Sequence, residues 1–498
     1  MRRFAAFGAA SLFVCSALSV ARPAGAADPP PAVTHHSMTL GGRAIAYTAR
    51  AGTSVVRDDA GDEIARVFTV SYSADGADPR TRPVTFLWNG GPGSSTMWLH
   101  MGSYAPVHVA VPSNATAPAP GTPLVPNPES LIDVSDLVFI DAIGTGYSQI
   151  TGKGTPKTFF GIDEDAKAYD TIIRDWTTQN GRWASPKFLF GESYGTMRAA
   201  VVVDRLQRDG MAINGVVLVS SALDYNVFDN GQAPGEDYGY IGFLPTEAAV
   251  AWYHHKVAGN PPDLARFVEE VRAYAIGPYA DALTRGDTID SATRRGVVAK
   301  LHAYTGLDEA YIERANMRID PSRFEQVLLG DAGVVTGRLD GRYRGPTLDR
   351  TNDSTTYDAT SDDLLTDAFV GAFSRYVRDE LGFKVDRPYL GTNYPVVGRD
   401  WNFRRTRSIV APSGAADLRE AMTKNPYLRV FAANGYYDLA TPFFGTEYTL
   451  GHIGLDPSLR SHVEYGFYPS GHMIYLHDES RRALKADLVR FYGEAAGR

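Results

Sequence analysis

Ser193 stands between two glycines in "GESYG", with the apolar run "KFLF" before it and "MRAAVVVDRL" after it. The pattern fits G-x-S-x-G on a sharp strand-to-helix turn. Such a turn lifts the hydroxyl above a sheet, the flanking glycines relieve the crowding, and the helix aims its N-terminus at the reacting centre. A serine hydroxyl is a weak nucleophile at neutral pH, so it needs a base, and the base needs an acid to orient it. Asp438 in "NGYYDLATP" follows the strand-like "LRVFAA", and His472 in "YPSGHMIYL" follows "VEYGF". Alone, Asp438 reads as a turn or capping residue and His472 as a surface histidine. Together with Ser193, in the chain order Ser, Asp, His, they predict acyl transfer through a serine nucleophile.

That chemistry also needs donors for a tetrahedral oxyanion. "FLWNGGPGSS" follows a predicted strand, and its glycines let main-chain N–H groups approach a substrate. The N–H groups of Gly91 and Tyr194 are the candidates, although Gly-Gly-Pro-Gly would also make a plain tight turn.

These residues need a scaffold. "SMTLGGRAIAYTARAG" and "IARVFTVSYSA" alternate apolar and polar residues and predict antiparallel strands. "VTFLW", "DLVFID", "KFLFG", "GVVLVS" and "LRVFAAN" are continuous apolar runs, suited to strands buried on both faces of a mainly parallel sheet. Between them, Tyr169, Ile172, Ile173 and Trp176 recur at helical spacing. The fold class is therefore α/β. From 221 to 394 the strand rhythm stops. "LARFVEEVRAYA", "RRGVVAKLHAY" and "DLLTDAFVGAFSRYVRDELGF" predict helices, and "DRTNDSTTYDATSDD" a polar loop. We expect a largely helical cap there, inserted between core segments 27–220 and 395–498.

"WNGGPGSS", "DLVFIDAIGTGYS", "FGESYG", "NGYYDLATP" and "GHM" occur in the order and approximate spacing of conserved blocks in another group of proteins. Through them the sequence resembles the serine carboxypeptidases (peptidase family S10), on both sides of the cap but not within it. The resemblance implies an α/β-hydrolase fold and hydrolysis of C-terminal peptide bonds through an acyl-enzyme. It implies Ser193, Asp438 and His472 as the triad, Gly91 and Tyr194 as oxyanion donors, and Asn89, Gly90 and Glu192 as substrate-binding residues. In the family, the positions of Asn89 and Glu192 hold the peptide's terminal carboxylate. A carboxyl group can hydrogen-bond another only when one of them keeps a proton, which favours acidic pH. Two departures stand out. Leu87 occupies a position that is often Trp, and "TMWLHMGSYAP" lacks the second acid, with His100 the nearest polar substitute. An esterase or acyltransferase on the same triad, or an inactive hydrolase-fold binding protein, are the alternatives.

Residues 1–26 read as a signal peptide: Arg2 and Arg3, an apolar run, then small residues up to Ala26. The only Cys lies in it, so a mature chain would have neither disulfide nor catalytic thiol, and its length of 498 residues must supply the core instead. The expected location is periplasmic or extracellular. The net charge of −8 argues against a nucleic-acid partner, and no run after the signal is long enough for a membrane span. Peptide or protein C-termini are the expected partners. "FIDAIGTGYSQ" lacks the third glycine of a dinucleotide site, "ITGKGTP" fails as a phosphate loop, and His35–His36 and His254–His255 lack metal spacing. No metal and no cofactor are expected.

Overall fold

The computed structural model describes residues 28–228, 235–361, 364–405 and 411–497. The expected signal peptide lies outside them. Nine strands form the path of the main sheet: β1 (Ala32–Leu40), β2 (Arg43–Arg57), β3 (Glu63–Ala74), β4 (Val84–Trp88), β5 (Asp136–Ile140), β6 (Lys187–Ser193), β7 (Gly215–Ser221), β8 (Arg429–Gly435) and β9 (Val463–Tyr468). Their spatial order is β1-β2-β3-β5-β4-β6-β7-β8-β9, with a short strand at Gln149–Ile150 on β3. The β1–β2, β2–β3 and β3–β5 pairs are antiparallel, and every pair from β5–β4 onward is parallel. The alternating segments therefore made the antiparallel flank and the continuous apolar runs made the buried parallel centre, as the burial argument requires.

The parallel strands are apolar throughout because both faces are covered. Leu87, Phe139, Phe188, Phe190, Val217 and Phe431 point to one side, and Phe86, Trp88, Val138, Leu189, Val216 and Val430 to the other. Each such side chain, fully buried, contributes on the order of 1.5–3 kcal/mol. Helices α1 (Ile162–Gln179) and α2 (Tyr194–Arg208) cover the second side, together with a later helix at 415–424. The predicted stripe of α1 buries Tyr169, Ile172 and Ile173.

Among the described residues, no strand between β7 and β8 joins the main sheet. Helices α3 (Tyr238–Tyr253), α4 (Leu264–Tyr274) and α5 (Ser291–Thr305) build a third core with Tyr437, Leu439, Phe443 and Phe444, which follow β8. Helix α6 (Leu364–Arg375) packs elsewhere. Its Phe369 and Phe373 join the first face of the main sheet, so the region from 221 to 394 is divided between two cores. Two three-residue strands at Val334–Thr336 and Arg344–Pro346 pair as a hairpin that the sequence reading missed, since runs so short carry no periodicity. Helices α7 (Ala415–Lys424), α8 (Phe443–His452) and α9 (Asp478–Ala495) complete the core; α9 lays Leu484, Leu488 and Phe491 against the first face.

Candidate active site

The parallel strands point their C-terminal ends to one edge, where open α/β sheets place their ligands. Asn89 follows β4 directly, Ser193 ends β6, Asp438 lies just past β8, and His472 just past β9. The pairing of β4 with β6, β6 with β7, β7 with β8 and β8 with β9 is what draws these distant residues together.

Ser193 has φ 59° and ψ −132°, in the left-handed half of the map, where a side chain other than glycine is strained. The turn is feasible because neighbours yield. A Cβ on Gly90 would stand 2.5 Å from Tyr194 N and 2.8 Å from Glu192 O, and one on Gly191 would stand 2.1 Å from Gly195 O. The Asn89–Gly90–Gly91 turn thus lies directly against the serine turn. Gly91, at φ +107°, needs the same freedom. The N–H groups of Gly91 and Tyr194 donate to no other group among the described residues.

His472 and Asp438 are both buried, and Nδ1 lies 2.8 Å from Oδ2. Asp438 is fixed by its own loop: Oδ1 accepts from the N–H groups of Ala440 and Thr441, each at 2.9 Å, and Oδ2 accepts from the Thr441 hydroxyl at 2.6 Å. The Thr441 hydroxyl is also 3.1 Å from His472 Nδ1. With Nδ1 engaged, Nε2 is the nitrogen left for proton transfer. Burial by itself pushes the His472 imidazole down, but the charge and hydrogen bond of Asp438, with the charge of Glu192, raise it overall. Ser193 and His472 line one cavity of about 1150 Å³. No hydrogen bond joins their side chains.

The His472 main chain is held from both sides. Its N–H donates to Leu339 O at 2.6 Å, and its carbonyl accepts from the Ser220 hydroxyl at 2.7 Å. Leu339 lies in the turn of the 334–346 hairpin. The next residue, Asp340, pairs with Arg342, whose guanidinium also donates to Pro469 O and the Ser470 hydroxyl, both at 3.2 Å. None of these partners was anticipated. Thr441 had a local cue, three residues past an aspartate, whereas Leu339, Asp340 and Arg342 are distant in sequence.

Asn89 Nδ2 donates to Glu192 Oε1 at 2.7 Å, and Asn89 Oδ1 accepts from Leu99 N at 3.0 Å. Asn89 O accepts at 2.7 Å from the buried Arg198, which is paired with Asp165. Glu192 Oε2 accepts no hydrogen bond although the residue is 3 % exposed. Burial pushes this carboxyl up to about 7, against the lowering effects of His472, Tyr475 and Asn89. His100 does not substitute for a second acid at this site. It is buried away from the cavity, stacked on Phe139 and 2.7 Å from the Tyr72 hydroxyl, and burial pulls its imidazole down to about 3. Aromatic rings pack around it and leave it no route to a substrate. Trp98, Tyr225, Phe228 and Tyr394 give the cavity its aromatic wall, and Arg338, Asp358 and Asp367 its other charges. Among the described residues there is no group of His, Cys, Asp and Glu placed to hold a metal ion.

Residues 60–242 match the family profile described as serine carboxypeptidase (Peptidase_S10), a span that includes Asn89, Gly91 and Ser193 but neither Asp438 nor His472. No curated protein matches the chain. Among solved structures, Kex1ΔP, a prohormone-processing carboxypeptidase from Saccharomyces cerevisiae, is similar, with a TM-score of 0.55 and 15% identity over 89% of this chain and 91% of that one. A proline iminopeptidase from Mycobacterium smegmatis has a TM-score of 0.39 and 13% identity over 90% of this chain and 98% of that one. At such identity the likeness to the yeast protein is one of fold. Residues 60–242 thus carry the sequence signature of the serine carboxypeptidase family, on an α/β-hydrolase fold.

Proposed function

We propose that the protein is an exported serine carboxypeptidase-like peptidase, with Ser193, His472 and Asp438 as its triad. The observation that carries this reading is the strained Ser193, set on the same cavity as an imidazole held by a buried aspartate. Ser193 Oγ attacks the carbonyl carbon of the last peptide bond while its proton passes to His472 Nε2. The oxyanion receives the N–H groups of Gly91 and Tyr194. The C–N bond then breaks, the proton passes from Nε2 to the departing amine, and the C-terminal residue leaves. Water, deprotonated in turn by His472, cleaves the acyl-enzyme. Asp438 holds the Nδ1 proton and the ring orientation throughout.

Asn89, Gly90 and Glu192 form the seat for the substrate's terminal carboxylate. Glu192, half protonated near neutrality, donates its proton to that carboxylate at lower pH. The segment from 221 to 394 acts as the cap, and it contributes Tyr225, Phe228, Arg338, Asp358, Asp367 and Tyr394 to the cavity lining. The signal-like N-terminus supports export. Among the described residues no helix is long and apolar enough to cross a membrane.

The single acid at the seat supports a second reading, an esterase or acyltransferase on the same triad. A fluorophosphonate probe and a blocked dipeptide, offered as free acid and as C-terminal amide, separate the readings. Labelling lost in Ser193→Ala, with the free acid cleaved faster, is the expected result. Ester turnover with no peptide turnover would replace the peptidase by the esterase, and unlabelled folded protein would leave only a binding role.

A further inference from the structure

Arg338 is the one lysine or arginine among the described residues that line the cavity. Its position is fixed by main-chain bonds. Asp358 accepts the N–H groups of Arg338 at 2.8 Å and Leu339 at 3.3 Å, and Leu339 O takes the His472 N–H. Asp340 N, next along, donates to the Thr360 hydroxyl at 3.0 Å. The guanidinium is exposed, and it forms no ion pair or hydrogen bond among the described residues. Its charge is nonetheless felt at His472 and Tyr225, and at the buried Glu325 carboxyl, lowering the proton affinity of each.

The acids of the same cavity do not cancel this cation. Asp358 is committed to its own loop, accepting also from Thr360 N at 2.9 Å and the Ser361 hydroxyl at 3.1 Å. Glu192 is buried beside Asn89 on the serine turn, and Asp367 is exposed on α6. A guanidinium on a rigid turn, with no hydrogen bond or ion pair and beside the candidate base, is a site for a planar anion that it can grip with two N–H donors.

We propose that Arg338 selects substrates with an acidic side chain at the residue that supplies the scissile carbonyl. This rests on the proposed peptidase reading and adds its substrate class. A charge-assisted contact of this kind is commonly worth about tenfold in selectivity.

The test uses blocked dipeptides with Glu or Gln at the residue that supplies the scissile carbonyl, each as free acid and as C-terminal amide. The wild-type protein is expected to favour Glu over Gln by about tenfold in kcat/KM. In Arg338→Gln that ratio falls towards one, and Arg338→Glu turns the preference towards Lys at the same residue. A loss confined to Glu substrates supports the proposal; a loss confined to the preference for free acids over amides overturns it. Ratios near one in the wild type, or ratios that survive in Arg338→Gln, overturn the proposal. Calorimetry on Ser193→Ala protein with N-acetyl-glutamate amide and N-acetyl-glutamine amide, and with their free acids, gives the same comparison without turnover. If no peptide is hydrolysed, the peptidase reading fails while binding still decides the role of Arg338.

Discussion

Two titrating groups face each other at the serine turn, and each affects the other. Burial pushes Glu192 up to about 7, and the Glu192 charge helps to raise His472. Each group's charge therefore bears on the other's titration. Glu192→Gln removes the negative charge, so the His472 imidazole should lose protons at lower pH. The acid limb of kcat/KM for an ester substrate, which has no terminal carboxylate, should move to lower pH; a limb that stays or moves up would count against the coupling. In the wild type, KM for free-acid peptides should rise as pH passes about 7 and Glu192 loses the proton it would share, and the Gln variant should lack that rise. Thr441→Val removes a hydrogen bond to each of two partners, Asp438 and His472. A bond to a charged group is worth about 1.5–3 kcal/mol, so kcat should fall by roughly 10- to 100-fold. An unchanged kcat would show that Asp438 orients the ring unaided.

At the level of elements, the hairpin turn from 337 to 343 and the loop carrying His472 are joined by buried polar contacts. Arg342 is 6 % exposed and spans Asp340, Pro469 O and the Ser470 hydroxyl. Arg342→Ala would leave the Asp340 carboxylate buried without its cation, a defect of about 3–5 kcal/mol. We expect a lower denaturant midpoint together with weaker active-site labelling, and normal labelling in the destabilised variant would uncouple this turn from His472. The turn at Asn89–Gly91 gives a second case. A methyl at Gly90 meets the main chain of the serine turn at 2.5 Å, so Gly90→Ala must push the two turns apart. Loss of at least 100-fold in kcat is expected from the displaced oxyanion donors; wild-type turnover would mean the turns do not need this contact.

Across the whole molecule, several carboxyl groups were buried without full compensation. Asp141, Glu192 and Glu447 are each pushed up to about 7, chiefly by burial, and burial also raises Glu247 and Glu325 well above their ordinary range. Their unfolded values lie near 4, so between about pH 4 and 7 the folded state binds more protons than the unfolded state. These groups therefore favour folding at the acid end of that window and lose the advantage as pH rises through their folded values, with a slope of up to about 1.4 kcal/mol per pH unit for each. Chemical denaturation should give a higher midpoint near pH 5 than near pH 8. A midpoint that climbs steadily over the same range would contradict this balance.

The sequence alone determined the α/β class and the strands that carry or precede the candidate residues, and it singled out Ser193, Asp438 and His472 as candidates. Short continuous apolar runs suit strands buried on two faces, and a serine between glycines after such a run suits a sharp turn. Asn89 and Glu192 also followed from motif order, as substrate-binding candidates. The tertiary structure decided the rest, because it depends on contacts between segments far apart in the chain. Those contacts brought Leu339 to the His472 N–H, buried His100 among aromatic rings, put α6 on the sheet and left Arg338 unpaired in the cavity. Local periodicity and spacing record how a segment folds against its neighbours in sequence, and they carry no record of which remote loop completes a site.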